Sequence, residues 1–455
     1  MLTPPDTLPQ AGATTASIPY DDMPLNAFHL RATVASTGGV FSDGFGLGII
    51  GISLSLATAP FGLTPLWLGL LGGASLAGLF FGALFTGPAA DHYGRRPIFA
   101  YNMALLAGLS LLQFLIASPL QLLALRLGIG FLLGTDYVVS KAMLSEFTPR
   151  AVRGRILSAL SVAWAGGYTC AYFVGFLLAA RGAGSWRWML LTSALPCLII
   201  LPLRITLPES PLWLARHGQA ERAARVVRQK FGATVMPPPA AVATRNVAGR
   251  WRQLASRTWR RRTLVACALF TCQVIPYFAV GTFVARVLAA LSVSSTYLGG
   301  LVYNFALLLG AVLGMLIVDR VSRRAFMVGS FAIAATAMLV LTVATNLPKA
   351  AIVVLFAIFA SVLSGASSIL YVYLPELFPT DLRASGIGLA VASSRIGSAV
   401  STFLLPLIVA SLGVRTALAA CVAVLVVGGL TCYAWAPETR GLRLATDGPA
   451  TQIDA

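Results

Sequence analysis

The sequence predicts an all-α integral membrane protein in which twelve transmembrane helices form two pseudo-symmetric six-helix bundles. Hydrophobic residues make up 57% of the 455 residues and charged residues only 11%, and a soluble protein of this size cannot bury that much apolar surface. Twelve apolar windows have about the 20 residues that a helix needs to cross a bilayer. Two sequence motifs also occur twice, in the same order and at one offset, which indicates a duplicated six-helix unit.

The twelve windows fall into two sets of six, separated by one long polar stretch. They lie near residues 36–58, 66–88, 98–117, 120–144, 155–180 and 187–207, and then near 263–288, 297–318, 326–346, 350–373, 386–410 and 415–436. We therefore expect an N-terminal tail (1–33), a first bundle (34–207), a basic central loop (208–262), a second bundle (263–436) and a C-terminal tail (437–455). The even number of spans places both tails on the same side of the membrane.

The basic residues predict which side that is. The net charge is +18, and twelve basic residues lie in the central stretch from Arg216 to Arg262. Loops rich in Lys and Arg stay in the cytosol, so we expect a multi-pass inner-membrane protein with both tails cytosolic and no nucleic-acid partner. The first 32 residues lack the apolar core of a cleavable signal. The six cysteines lie in apolar runs without the spacing of a metal site.

The repeat involves the loops that follow the second and fourth spans of each half. "GPAADHYGRRP" (87–97) after span 2 corresponds to "IVDRVSRRAF" (317–326) after span 8. "LSEFTPRAVRG" (144–154) after span 4 corresponds to "LPELFPTDLRASG" (374–386) after span 10, with identical spacing of Glu, Pro and Arg. A duplicated unit of this kind places a substrate site between the halves, near the middle of the bilayer.

These loops carry a resemblance to a known family. "GPAADHYGRR" (87–96) resembles the loop signature of the major facilitator superfamily, and "PESPLWL" (208–214) and "PETRG" (437–441) resemble its sugar-porter signatures. The resemblance covers roughly residues 24–443. It implies the major facilitator fold and a monomer.

By the same resemblance, the charged side chains at the cytosolic helix ends form a gate. Carboxylate–guanidinium pairs form there between the bundles and break as the bundles rock. The alternative is that these side chains only fix the loops and the topology. The predicted gate residues are Gly87, Asp91, Gly94, Arg95, Arg96, Glu146, Arg153, Glu209, Asp319, Arg323, Glu376, Arg383 and Glu438. In the second copy, Ser322 takes the place of the glycine.

Departures from the sugar porters predict the class of cargo. Proton-coupled sugar porters carry an aspartate in span 1 where this chain has Gly46, and paired glutamines in span 7 where it has only Gln273. In contrast, residues 24–51, "GTDYVVSKAMLSE" (134–146) and "CQVIPYFAVGTF" (272–283) resemble bacterial metabolite:proton symporters. The resemblance implies a secondary active transporter that moves a small metabolite, an organic anion rather than a sugar, by proton symport and alternating access.

Acids inside the spans indicate where protons couple, because an intramembrane charge is costly and usually functional. Only Asp136 and Asp43 lie well inside the predicted spans, and we predict both as proton-coupling residues. Two alternatives stay open: that Asp136 forms a structural pair with an Arg or Lys, and that Asp43 forms hydrogen bonds with the backbone.

Bases inside the spans indicate where an anion binds. The predicted spans contain four of them, Arg126, Lys141, Arg286 and Arg395. Lys141 and Arg286 stand near span ends and are expected to snorkel to the surface. Arg126 and Arg395 are predicted to bind the anion, because a guanidinium holds a carboxylate through two hydrogen bonds; pairing with backbone carbonyls or an Asp is the alternative. Further predicted substrate contacts are Gln273, Tyr277, Tyr137 and Asn304.

Four other functions compete with this one. A sugar:proton symporter and a proton-coupled efflux antiporter are the alternatives, although span 5 lacks the Gly-Pro pattern usual in antiporters. No cluster of catalytic or metal-binding residues suggests an enzyme, and a transporter-like sensor is expected to carry a signalling domain. We therefore expect a non-enzyme with no metal and no cofactor, driven by the proton gradient. Its expected partners are a small-molecule substrate, protons and the lipid bilayer.

Overall fold

The computed structural model describes residues 17–238, 252–317, 320–344, 346–378 and 380–439. Within these ranges twelve helices are long and apolar enough to cross a membrane, which confirms the predicted fold class. Spans 1 to 6 are Ala27–Phe61, Pro65–Tyr93, Arg95–Leu112, Pro119–Phe147, Arg150–Ala179 and the consecutive helices Trp186–Thr192 and Ala194–Ile205. Spans 7 to 12 are Arg260–Thr282, Thr296–Ile317, Arg323–Val343, Lys349–Glu376, Thr380–Leu412 and Val414–Trp435.

Shorter elements connect the spans. Helix Val284–Ala290 continues span 7 after a break at Phe283. The part of the central loop that precedes residue 239 contains the helices Pro211–Arg216 and Ala220–Phe231. Among the described residues, 3-10 turns cover Tyr20–Asp22, Gln113–Leu115 and Ala183–Ser185.

The helix of span 1 begins nine residues before the predicted window, at Ala27. The Asn26 side chain accepts hydrogen bonds from the backbone N–H groups of Phe28 (3.1 Å) and His29 (3.3 Å), which caps the helix at that point. The hydropathy window detects only the lipid-facing part of a helix, whereas the capping residue decides where the helix starts.

Helices inside each bundle pack backbone to backbone through glycines. In the first bundle, a Cβ atom at Gly82 of span 2 would lie 1.9 Å from the carbonyl oxygen of Phe131 in span 4. In the second bundle, a Cβ atom at Gly310 of span 8 would lie 1.9 Å from the carbonyl oxygen of Ser361 in span 10. Only glycine permits so close an approach. The same pair of helices therefore packs in the same way in both halves, as the repeat predicts.

The two bundles meet most closely at one end. We call the end that carries residues 208–238 the loop end, and the opposite end the far end. Near the far end, a Cβ atom at Gly51 of span 1 would lie 1.9 Å from the Thr282 carbonyl oxygen of span 7, and one at Gly69 of span 2 would lie 2.3 Å from the Phe403 carbonyl oxygen of span 11. The far end is thus closed by direct contact of helix backbones.

The segment before span 1 packs on the central loop. The Ile18 N–H donates to the Thr234 carbonyl at 2.9 Å, and the Tyr20 ring meets the Phe231 ring edge-on at 5.7 Å. The Tyr20 hydroxyl donates to the Glu146 carbonyl at 2.9 Å. These contacts fix the segment and the second loop helix to the loop end of the first bundle.

Candidate transport site

A cavity of about 60 Å³ lies between the bundles, near the middle of the spans. Seven spans contribute to its wall, with the residues Asp43, Leu47, Leu79, Leu133, Tyr137, Ser161, Trp164, Ala165, Phe270, Gln273, Val274, Tyr277, Phe278, Ser364, Ser367 and Arg395. Sites for small ligands usually measure about 300–1,000 Å³. The cavity is therefore contracted in this conformation, and a metabolite needs the two bundles to part.

One wall of the cavity is aromatic. The Trp164 ring meets the Phe278 ring edge-on at 5.8 Å and stacks on the Tyr168 ring at 5.2 Å. The Tyr277 ring lies 6.1 Å from Trp164 and 5.3 Å from Phe278. Trp164 belongs to span 5, whereas Tyr277 and Phe278 belong to span 7, so both bundles build this wall. It offers ring faces and edges to a planar ligand.

Arg395 of span 11 brings a positive charge to the cavity. Its guanidinium carbon lies 5.2 Å from the centre of the Tyr137 ring and 5.9 Å from that of Phe278. The side chain is buried, and its Nε has no hydrogen-bond partner. It forms no ion pair with a carboxylate among the described residues. A guanidinium held on ring faces can still bind a carboxylate with its N–H groups.

Neutral polar groups complete the cavity. The Gln273 side-chain nitrogen donates to the Leu363 carbonyl at 3.0 Å and to the Ser367 hydroxyl at 2.5 Å. Its Oε1 is buried and has no partner, so the amide can accept one more hydrogen bond. The hydroxyls of Ser161 and Ser368 lie 3.4 Å apart, across the two bundles.

Asp136 lies beside the cavity in a closed polar network. It forms an ion pair with Arg204, and both side chains are fully buried. The Arg204 Nη2 also donates to the second carboxylate oxygen and to the Ser140 hydroxyl, each at 3.0 Å. The Arg204 Nε donates to the Ala35 carbonyl at 3.1 Å and Nη1 to the Phe99 carbonyl at 3.3 Å. Every nitrogen of this guanidinium therefore has a partner, and the network ties spans 1, 3, 4 and 6 together.

Asp43 connects this network to the cavity. Its carboxyl lines the cavity wall and interacts with the charges of both Asp136 and Arg204. Its Oδ1 is buried without a hydrogen-bond partner. One turn earlier in span 1, Gly39 leaves room for the guanidinium, because a Cβ atom there would lie 1.4 Å from the Arg204 Nη2. Span 1 thus supplies both the Asp43 carboxyl and, at Gly39, the space that the Arg204 guanidinium occupies.

Arg126 of span 4 is a second fully buried guanidinium, and its surroundings are different. Its Nη1 donates to the Gly46 carbonyl at 3.1 Å, whereas Nε and Nη2 have no hydrogen-bond partner among the described residues. Gly46 is the position at which the sugar porters carry an aspartate, so this arginine meets only a backbone carbonyl there. Arg126 does not line the cavity in this conformation.

Three other polar residues inside the predicted spans do not line the cavity. Lys141, expected at the membrane surface, instead lies 3.4 Å from the centre of the Tyr137 ring. Arg286 donates to the Thr58 hydroxyl and so joins the bundles near the far end. The Asn304 amide donates to a carbonyl one turn earlier in span 8, at 2.7 Å, and its side chain is buried away from the cavity wall.

The loop end of the first bundle carries an ionic cluster. Arg95 pairs with Glu146 at 2.9 Å, and Glu209 accepts hydrogen bonds from the backbone N–H groups of Arg95 and Arg96, each at 3.1 Å. Gly94 has a φ of +97°, and a Cβ atom there would lie 2.5 Å from the Glu209 Oε2. The glycine of the loop signature is therefore needed both for its backbone conformation and for the space that Glu209 occupies.

The second bundle repeats the cluster. Arg323 pairs with Glu376 at 3.6 Å, and Glu438 accepts hydrogen bonds from the backbone N–H groups of Arg323 (3.1 Å) and Arg324 (3.3 Å). At the position of the missing glycine, Ser322 has a φ of −61° and its hydroxyl donates to Glu438. The serine thus replaces a left-handed turn by a hydrogen bond to the same glutamate.

The remaining gate residues are more exposed. Asp91 is 76% exposed and lies 3.4 Å from Arg95, whereas Arg153 pairs with Asp21 at 2.8 Å. A Cβ atom at Gly87 would meet nothing within 4 Å, so this glycine is not required by packing.

In the described part of the chain, no ion pair of the gate joins the two bundles. Asp319 lies outside the described residues, as does the side chain of Arg383. Pairs that form between the bundles therefore stay a prediction. In this conformation the carboxylates hold the helix ends of their own bundle.

Comparison with known proteins agrees with this geometry of two matched bundles around a cavity. The family model described as "Sugar (and other) transporter" matches residues 31–446. The chain belongs to this family. It is 37% identical to the inner membrane metabolite transport protein YgcS of Escherichia coli K12, over 95% of this chain and 97% of that one. It is 28% identical to the niacin transporter NiaP of Acinetobacter baylyi, over 83% and 86% of the two chains.

The fold of this family member matches a solved transporter. The xylose transporter XylE from E. coli, in a partially occluded inward open conformation, superposes with a TM-score of 0.77 at 20% identity. The match covers 92% of this chain and all of that one. This likeness shows the major facilitator fold. Together with membership of the transporter family, it makes the protein a secondary transporter, as the sequence predicts.

The transporter brings together five of the eight predicted coupling and substrate residues. Those that share the cavity are Asp43, Tyr137, Gln273, Tyr277 and Arg395, and those buried outside its wall are Asp136, Arg126 and Asn304. The four bases predicted inside the spans leave out Arg204, which is fully buried there. It stands one residue before the end of span 6, next to the polar loop. The signal that could have found it is the buried Asp136, which needs a cationic partner.

Proposed function

We propose that the transporter carries a small organic anion together with protons, and that the anion is a planar aromatic carboxylate. The observation that carries this proposal is Arg395 on the cavity wall. Its charge meets no carboxylate among the described residues, and it lies beside an aromatic wall. A carboxylate on the guanidinium and a ring among Trp164, Tyr277 and Phe278 would satisfy both features.

Charge balance supports the role of the acids in coupling. Asp43, Asp136 and Arg204 form a buried cluster of two carboxyls and one guanidinium. One bound proton makes this cluster neutral, and a neutral cluster is far less costly to bury than a charged one. Asp43 is the member that lines the cavity, so we assign it the exchange of the proton and Asp136 the fixed charge that it faces.

Arg126 gives the anion a second contact. Its two unpartnered nitrogens, fully buried beside Gly46, lack the carboxylate that a sugar porter provides from span 1. We infer that the carboxylate of the substrate approaches them when the bundles part at the far end. The two guanidiniums then bind the same anion in different stages of the transport cycle.

The topology follows from the distribution of basic residues. The basic loop end is assigned to the cytosol and the tails with it, in an inner membrane. With the far end closed by backbone contacts, the cavity is then directed to the cytosolic side. We further infer a monomer that is not an enzyme and that works without cofactor or metal, driven by the proton gradient.

A sugar is the second candidate, because the family model includes sugar transporters and Gln273, Ser364 and Ser367 offer neutral hydrogen-bond groups in the cavity. The name of the relative NiaP, a niacin transporter, agrees better with an aromatic carboxylate. Since a sugar carries no charge, it leaves Arg395 without a counter-ion.

The test uses purified protein in liposomes with a trapped pH-sensitive dye. Aromatic carboxylates, their uncharged amides and sugars are added one at a time, without an imposed gradient. Protein-free liposomes measure the passive entry of the weak acid, and only the excess over them counts. We expect excess proton entry with a carboxylate and none with its amide or with a sugar.

Variants in the same assay test the assignment of the proton-coupling site. Asp43→Asn should abolish substrate-driven proton entry and keep the exchange of labelled substrate across the membrane, because binding does not need the proton. Glu221→Gln, on an exposed loop position, is the control and should behave as the parent. Proton entry driven by a sugar would overturn the assignment of the anion.

A further inference from the structure

A second cavity, separate from the transport site, opens at the loop end of the first bundle. It measures about 390 Å³. The turn between spans 2 and 3 forms one side of it, and the two loop helices form the other. Its volume falls in the range of small-molecule sites, so a ligand of several heavy atoms fits without any rearrangement of the bundles.

The charges that line this cavity are mainly positive. Three arginines, Arg96, Arg222 and Arg225, belong to its wall. The Arg222 Nη1 donates to the Gln219 side chain at 2.8 Å. Among the described residues, none of the three arginines forms an ion pair with a carboxylate. The cavity therefore concentrates three guanidiniums around one space.

One acid faces the same space, and its charge is already engaged. Glu209 lines the cavity, but its carboxylate accepts hydrogen bonds from the backbone N–H groups of Arg95, Arg96 and Ser210. Backbone donors at a helix start stabilise such a carboxylate. The arginine side chains are thus left to meet a different anion.

Aromatic residues indicate the depth of the cavity in the membrane. Tyr93, at the end of span 2, lines the cavity and is 71% exposed. The Trp213 indole N–H donates to the Asp91 carbonyl at 3.0 Å, and its ring stacks on His217 at 4.1 Å. An exposed Tyr at the end of a span is typical of the level of the lipid headgroups. Tyr93 therefore indicates that the rim of the cavity lies near that level, whereas the half-buried Trp213 fixes the first loop helix to the end of span 2.

We propose that this cavity binds a phosphate-bearing anion. Arginine guanidiniums bind phosphate oxygens in pairs of parallel hydrogen bonds, and basic pockets at the membrane surface bind phosphate headgroups. Two sources share this chemistry, an anionic phospholipid and a soluble phosphate. A ligand there bridges the span 2–3 turn to the second loop helix, and so braces the helix ends that Glu209 and Arg95 hold.

The test measures binding by native mass spectrometry of the full purified chain. The probes are phosphatidylglycerol, phosphatidylcholine and inorganic phosphate. The site variant is Arg96→Gln/Arg222→Gln/Arg225→Gln, and the control is Arg228→Gln/Arg252→Gln/Arg257→Gln. The control removes three exposed charges of the same loop region outside the cavity. Thermal unfolding of each variant in detergent checks that it is folded.

We expect the parent protein and the control to prefer phosphatidylglycerol over phosphatidylcholine. The site variant should lose roughly 100-fold in affinity for phosphatidylglycerol, the effect of three basic residues at a membrane surface. Binding of inorganic phosphate, lost in the site variant, with no preference between the lipids would support the site and assign it to a soluble phosphate. Equal losses in the site and control variants, or no loss in either, would overturn the proposal.

Discussion

Two fully buried arginines of the first bundle, Arg204 and Arg126, have opposite surroundings. Every nitrogen of Arg204 has a hydrogen-bond partner, and its charge is matched by Asp136. Arg126 has one partner, the Gly46 carbonyl, and two nitrogens with none. A buried polar group without a partner costs free energy, so the first arginine stabilises the bundle and the second does not.

A structural charge and a binding charge in a membrane thus differ in how many of their hydrogen-bond donors are already used. A guanidinium whose donors are all used inside one bundle has nothing left for a ligand. The donors of Arg126, and the charge of Arg395 on the cavity wall, are available to an anion that moves between the bundles. Substitutions at the two arginines should therefore affect stability and transport in opposite ways.

The largest effect is expected from Arg204→Met. It leaves Asp136 buried without its counter-charge and should lower the free energy of unfolding by about 3–5 kcal/mol. Chemical unfolding of the purified protein in detergent measures this loss. The double variant Asp136→Leu/Arg204→Met, which removes both charges, should recover part of the stability. A double variant less stable than Arg204→Met alone would show that the pair is not the stabilising unit.

A smaller loss is expected from Gly39→Ala. The added Cβ atom would lie 1.4 Å from the Arg204 Nη2, so the guanidinium must shift, at a cost of about 1–3 kcal/mol. Gly87→Ala is the matched control, because a Cβ atom there meets nothing within 4 Å. It should keep or raise the stability of its helix by up to about 1 kcal/mol. The same unfolding assay distinguishes the two, and equal effects would mean that Gly39 does not provide room for the arginine.

The Arg204 network also marks the limit of what the sequence could predict. Hydropathy alone located the twelve spans, and the repeated loops predicted charged side chains at matching helix ends of the two halves. The pairing was predicted between the bundles, whereas the pairs of Arg95 with Glu146 and of Arg323 with Glu376 join helices of the same bundle. Arg204 was missed because it stands at the very end of its span, where an arginine normally faces water, and a long side chain can reach back into the bundle. The neighbouring residues in the sequence do not show whether the Arg204 side chain points to water or back into the bundle.

The sequence also does not show which face of each helix lines the cavity. Asp43 and Asp136 both lie inside spans, but only Asp43 lines the cavity. In a bundle surrounded by lipid, a helix can be apolar on every side, so its pattern does not tell which side meets the cavity. The rotation of each span is decided by close contacts with its neighbours, such as that of Gly82 with the backbone of span 4.

Arg126→Gln should change stability little and transport strongly. The glutamine keeps a donor for the Gly46 carbonyl and removes an unsatisfied charge, so the free energy of unfolding should change by less than about 1 kcal/mol. Uptake of the substrate should fall by about tenfold or more, because a charge-assisted hydrogen bond to the anion is lost. Both are measured on one preparation, by unfolding in detergent and by uptake into liposomes. A large loss of stability with normal uptake would make Arg126 a structural residue like Arg204.

The smallest effects are expected at the loop end. Glu146→Gln weakens a pair at 2.9 Å whose glutamate side chain is 12% exposed, whereas Glu376→Gln weakens one at 3.6 Å at 19% exposure. Both pairs are largely shielded from water, but the glutamine keeps an oxygen that accepts a hydrogen bond from the arginine, so only the charge is lost. The expected cost is about 1 kcal/mol each, and it should be larger for Glu146. Unfolding of the two variants side by side measures the order. The reverse order would show that the two bundles do not use the repeated cluster alike.

If Arg395 recognises the charge of a carboxylate, ligand binding to the purified protein should depend on that charge. The midpoint of thermal unfolding is recorded with increasing amounts of an aromatic carboxylate and of its uncharged amide, for the parent and for Arg395→Gln. We expect the carboxylate, and not the amide, to stabilise the parent, and we expect the apparent affinity to fall by about tenfold or more in the variant. Equal stabilisation by the carboxylate and the amide, or an unchanged affinity in Arg395→Gln, would show that Arg395 does not bind the carboxylate.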